Sequence, residues 1–79
     1  EDRFRESDIK IYPNPVSDVL TIEVAPSISY IKTVVYSLLG EKLMETNGIT
    51  IDFSNLSKGV YFMEVFTDSG SSTKKIIKK

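Results

Sequence analysis

Apolar and polar residues alternate in several short stretches of the chain. Ile9 and Ile11 flank Lys10 near the start, and Ile51 and Phe53 flank an aspartate further on. A period of two residues is typical of half-buried β-strands. The pattern predicts seven short strands, over residues 9–11, 20–24, 30–39, 42–45, 49–53, 61–66 and 73–79.

A loop rich in proline follows the first predicted strand. Pro13 and Pro15 lack an amide donor and fix φ, and Pro15 favours an extended backbone at Asn14. A stiff loop of this kind binds a partner with little ordering cost, so a recognition surface is one interpretation. The favoured interpretation is structural, a loop that ends one strand and directs the next.

Glycines mark the expected tight turns. Gly40 and Gly59 are each expected to meet a backbone requirement, either a positive φ or a close approach. The pair Asn47-Gly48 predicts a β-hairpin turn, because both residues tolerate positive φ. Tyr61, two residues after Gly59, is expected in the core, on the same strand face as Met63 and Val65.

When each strand has one apolar face, two sheets that pack face to face bury those faces between them. The sequence therefore predicts an all-β fold, a small immunoglobulin-like antiparallel β-sandwich of about seven strands. Residues 1–7 are charged and show no period, so we expect a linker or the tail of an upstream protein there. The domain itself is expected to span residues 8–79.

The composition removes several classes of function. The chain has no histidine and no cysteine, which excludes thiolate metal sites and Ser-His-Asp catalysis. Its aspartates lack the spacing of a calcium loop, and its net charge of -1 gives no field that would attract nucleic acid. No apolar run approaches the roughly 20 residues of a membrane-spanning helix. We expect no catalytic residues, cofactor, metal, nucleic-acid partner or membrane span.

The final residues combine basic and apolar side chains in the order Lys74, Lys75, Ile76, Ile77, Lys78 and Lys79. Neighbouring residues of a strand point to opposite faces, so one isoleucine could reach the core while the other meets a partner. Lysines on an edge strand also prevent aggregation between sheets, and this protective interpretation stays open beside the functional one. The functional hypothesis is that a partner adds or exchanges a strand at this edge, with the lysines setting the orientation.

Three segments in this order resemble the type A C-terminal sorting domain of type IX secretion system cargo proteins. They are Ile11-Tyr12-Pro13-Asn14-Pro15, then residues 35–43, then residues 56–65, followed by the lysine-flanked isoleucines near the end. The similarity extends over residues 9–79. Ser37 departs from the pattern, because the family commonly has Asp or Asn there, but serine also bonds nearby backbone.

The resemblance implies a non-catalytic secretion signal that directs an attached N-terminal cargo protein across the outer membrane. The partners it implies are the outer-membrane translocon and a cell-surface sortase, which removes such domains when the cargo is attached to the surface. The implied localisation is secreted or at the cell surface of a Gram-negative bacterium, reached through the periplasm and the outer membrane. Cleavage in such proteins falls at or before the linker, here residues 1–7.

Two rival functions remain open on the sequence. One is an accessory β-sandwich binding module, carbohydrate-binding or adhesive, of a secreted enzyme. It would gain support if Tyr12, Tyr30 and Tyr36 formed one exposed platform for a sugar. The other is an inert spacer between domains.

Overall fold

The computed structural model describes residues 8–79, so the expected linker, residues 1–7, lies outside the described part. Within residues 8–79 the chain forms seven β-strands. They are β1 (Ile9–Tyr12), β2 (Val19–Val24), β3 (Tyr30–Tyr36), β4 (Lys42–Thr46), β5 (Thr50–Asp52), β6 (Gly59–Thr67) and β7 (Gly70–Lys78).

The strands form two antiparallel sheets, which confirms the predicted all-β fold. One sheet has the order β1-β2-β5 and the other has the order β4-β3-β6-β7. In a constant-type immunoglobulin sandwich the fourth strand lies in the sheet of the first, second and fifth strands. Here β4 pairs with β3 instead, with Val35 opposite Met44, so the second sheet has four strands.

The core lies between the two sheets and is built by the alternation of side chains. Ten residues form its buried cluster: Ile9, Val16, Leu20, Ile22, Val35, Ile51, Phe53, Met63, Val65 and Ile76. Each large apolar side chain removed from water contributes roughly 1.5–3 kcal/mol. The Tyr61 ring packs edge-on against Phe53, with centroids 6.0 Å apart and planes at 82°. This confirms the predicted core face of β6.

The predicted hairpin at Asn47-Gly48 is wrong. The strands on either side, β4 and β5, belong to different sheets, and neither residue has a positive φ. The segment crosses from one sheet to the other. It is held by the Tyr30 hydroxyl, which donates to the Gly48 carbonyl oxygen at 2.7 Å, and by the Gly48 amide, which donates to Thr46 Oγ1 at 3.1 Å.

Two predicted strand limits differ from the structure by three residues, and the others differ by at most two. The third strand ends at Tyr36 rather than at residue 39, because the next five residues close a turn in which the Ser37 amide donates to the Glu41 carbonyl oxygen at 2.8 Å. The last strand begins at Gly70 rather than at residue 73. It pairs with β6 along its whole length, so this hairpin is the longest in the fold.

Replacing the Phe53 ring tests the core. Because Phe53 is fully buried, Phe53→Ala leaves a cavity and should lower the free energy of unfolding by about 3–5 kcal/mol. Ile49→Ala is the control, since Ile49 is 55% exposed, and should change stability by less than about 0.5 kcal/mol. Urea denaturation measures both. Equal losses in the two variants would contradict the described core.

Candidate recognition site at the closing strand

The closing strand β7 lies at one edge of the four-stranded sheet, and within residues 8–79 its one strand neighbour is β6. Its side chains alternate between the core and the outer surface. Ile76 is fully buried, whereas Ile77 is 41% exposed, so the two isoleucines face opposite sides as the pattern predicts. One isoleucine therefore anchors the strand and the other faces solvent.

The four lysines divide between the same two sides. Lys75 and Lys79 are exposed on the side of Ile77, and Lys74 and Lys78 are half-buried on the side of Ile76. On the outer surface Lys75 lies opposite Phe62 of β6. The accessible part of the closing strand therefore presents an apolar side chain between two ammonium groups.

A loop from the other sheet covers the free edge of β7. The Asn14 side chain accepts a hydrogen bond from the Ile77 amide and donates one to the Lys75 carbonyl oxygen, both at 3.0 Å. The Val16 amide donates to the Ile77 carbonyl oxygen at 2.8 Å, and the Lys79 amide donates to the Val16 carbonyl oxygen at 2.9 Å. Residues 14–16 thus take the place of a neighbouring strand.

This loop is the feature that the sequence interpretation missed. Val16 is fully buried, and its position as an apolar residue in a polar loop was the available signal. A partner strand added along residues 75–79 would have to displace the loop from these backbone groups. Ser71 and Thr73 lie further along the same edge, where no strand within residues 8–79 pairs with β7.

The remaining motif residues have structural roles. Gly40 and Gly59 have φ values of +92° and +149°, and an added Cβ would meet nothing within 4 Å at either. Both positions therefore need glycine for its backbone freedom, not for close approach. The Tyr61 hydroxyl donates to the Ser57 carbonyl oxygen at 2.6 Å, which fixes the loop that leads into β6.

Two ion pairs join side chains of β3 and β4. Glu45 contacts the Lys42 ammonium at 2.6 Å and the Lys32 ammonium at 3.4 Å. Hydrogen bonds from these lysines lower the pKa of Glu45, and the bond to Glu45 raises the pKa of Lys42.

Residues 8–79 contain no cluster of acidic side chains that could hold a metal ion, and no helix long and apolar enough to span a membrane.

The three tyrosines of the sugar-platform hypothesis do not share one surface. Tyr12 lies on β1, in the three-stranded sheet, and its hydroxyl donates to Glu23 at 3.3 Å. Tyr30 and Tyr36 lie at opposite ends of β3, about 20 Å apart at the usual rise per residue. Tyr30 is also partly buried against the core.

Comparison with known proteins decides what this small sandwich is. Residues 10–79 match the family described as the secretion system C-terminal sorting domain. The chain belongs to this family. The sorting domain of the type IX secretion system is a non-catalytic tail, and β7 and its covering loop lie within the matched residues.

Two curated relatives carry a similar segment. Beta-agarase D of Zobellia galactanivorans is 34% identical over 71 residues, which are 87% of this chain and 14% of that protein. An endo-acting ulvan lyase of Formosa agariphila is 34% identical over 86 residues, which cover 100% of this chain and 16% of that protein. The sorting domain thus spans a small part of the length of each of these relatives.

Asn14→Asp tests the covering loop. The substituted carboxylate cannot donate to the Lys75 carbonyl oxygen and repels it, so unfolding should cost about 1–3 kcal/mol less. Urea denaturation measures the change. Asn55→Asp makes the same chemical change at an exposed loop position and should leave the stability nearly unaltered. A loss at Asn14 no larger than the loss at Asn55 would show that the loop contributes nothing to the closing strand.

Proposed function

We propose that this sorting domain directs an attached N-terminal cargo protein through the type IX secretion system to the cell surface or the medium of a Gram-negative bacterium. The route runs through the periplasm and across the outer membrane. The observation that carries the proposal is the family match over residues 10–79, nearly the whole chain. Its partners are the outer-membrane translocon and a cell-surface sortase, which removes the domain on surface attachment.

We assign recognition to the closing segment, Lys74 to Lys79, and within it to the side chains on the outer surface. Three exposed residues alternate there, Lys75, Ile77 and Lys79, whereas the backbone groups behind them already bond the covering loop. A partner that reads side chains leaves those bonds intact, whereas a partner that adds a strand has to break them. Within the same segment, the half-buried Lys74 lies opposite Met63 and the half-buried Lys78 lies opposite Gly59 of β6.

A secretion assay with surface variants tests the assignment. A reporter fused in front of the domain is expressed in a host with the type IX system, and extracellular reporter is measured. The double variant Lys75→Glu with Ile77→Ser changes outward side chains only and should lower export about tenfold, the effect of losing a central contact. Deleting residues 75–79 is a weaker test, because it also removes the buried Ile76.

The matched control is Lys10→Glu with Ile31→Ser, another exposed lysine and isoleucine. Ile31 is 51% exposed near the start of β3, far from the end of β7. The control should export like the unaltered domain, and both variants should keep its unfolding temperature. Full export of the closing-strand variant would reject the recognition site. Retention of the unaltered fusion inside cells would reject the sorting function itself.

A further inference from the structure

The turn between β3 and β4 exposes two leucines. Leu38 is 62% exposed and Leu39 is 96% exposed. An apolar side chain stabilises a fold only when it leaves water, so Leu39 contributes almost nothing to the stability of residues 8–79. A polar residue would serve a surface turn equally well, so the fold of residues 8–79 does not explain a leucine at position 39.

The turn holds the leucines in a fixed shape. Ser37 Oγ accepts hydrogen bonds from the amides of Leu39 and Glu41, both at 3.2 Å. The Gly40 amide donates to the Ser37 carbonyl oxygen at 2.9 Å, and Gly40 adopts a φ of +92° that closes the turn. A turn that is already ordered loses little conformational entropy when a partner binds it.

The turn lies at the same end of the sheet as the close of β7. Tyr36, the last residue of β3, is opposite Phe62, and Phe62 is opposite Lys75. Neighbouring strands are separated by about 4.8 Å, so Lys75 lies about 10 Å from the end of β3. Leu43, 38% exposed at the start of β4, and the exposed Ile77 lie at this end too.

Three lysines border these apolar side chains on the side of β6 and β7, and Glu41 lies within the turn. Lys58 is exposed directly before β6, and Lys75 and Lys79 are exposed on or beside β7. We call this end of the sheet the leucine-turn surface. Its apolar residues are Leu38, Leu39, Leu43 and Ile77, and its border residues are Lys58, Lys75 and Lys79.

We propose that the leucine-turn surface docks into an apolar pocket with an acidic rim on a protein partner. The inference deepens the proposed sorting function and rests on it. A rigid turn with a small exposed apolar surface fits a pocket of matching shape on a protein. An anionic lipid surface fits less well, because Glu41 lies within the turn and the chain as a whole has a net charge of -1.

Leu39→Ser in the reporter fusion tests the apolar contact. Extracellular reporter should fall about tenfold, as expected for an anchor side chain that fills a pocket, while the unfolding temperature stays unchanged. Ile49→Ser is the control, because Ile49 is 55% exposed at the opposite end of the domain, and it should export normally. Normal export of Leu39→Ser, with the unaltered fusion also exported, overturns this inference and leaves the sorting function standing.

Two further measurements identify the chemistry of the partner. Lys58→Glu should reduce export, whereas Lys10→Glu on β1 should not, since only the first faces the acidic rim. A photoreactive side chain at position 39 should crosslink to a protein of the secreting host, and the same group at position 49 should not. Binding of the purified domain to phosphatidylethanolamine–phosphatidylglycerol vesicles that Leu39→Ser abolishes would overturn the protein pocket in favour of a membrane.

Discussion

Hydrogen bonds between residues 14–16 and the outer edge of β7 attach the closing strand to the rest of the fold. Among the described residues the closing strand has one strand neighbour, and the chain has no cysteine that could secure it by a disulfide. Asn14 reproduces with one side chain the donor and acceptor pair of a peptide group, and Val16 is buried in the core beside it. The loop thereby ties the three-stranded sheet to the end of the four-stranded one.

This arrangement limits which groups a partner could contact at the proposed recognition site. The outer-edge backbone groups of residues 75–79 bond the covering loop. The groups that remain accessible are side chains, namely an isoleucine between lysines and the nearby leucines of the β3–β4 turn. The part of the edge that the loop covers, residues 75–79, cannot pair with another sheet, whereas the edge at Ser71 and Thr73 stays uncovered. The protective interpretation of the lysines, in which their charge discourages pairing, would act in the same direction as the loop.

Local patterns predicted much of this fold because the physics behind them is local. The alternation that places Met63 and Val65 in the core, and Ile76 opposite Ile77, follows from the two-residue period of a strand. The hairpin prediction at Asn47-Gly48 failed because a turn signal does not specify which sheet receives the next strand. The bonds of Asn14 join residues 61 and 63 positions apart, and no local pattern contains such a pairing. The strand predicted over residues 30–39 is too long because adjacent β-branched residues favour a strand and the next break in the sequence is Gly40, whereas the Ser37 hydroxyl closes the turn before it.

Amide hydrogen exchange along β7 is the sharpest test of this arrangement. The amides of Ile77 and Lys79 donate to the covering loop, whereas Thr73, by the alternation of the ladder, directs its amide to the uncovered part of the same edge. The structure predicts that Ile77 and Lys79 exchange much more slowly than Thr73, since exchange at a bonded amide requires local opening. Exchange at Ile77 and Lys79 as fast as at Thr73 would contradict a closing strand held by residues 14–16.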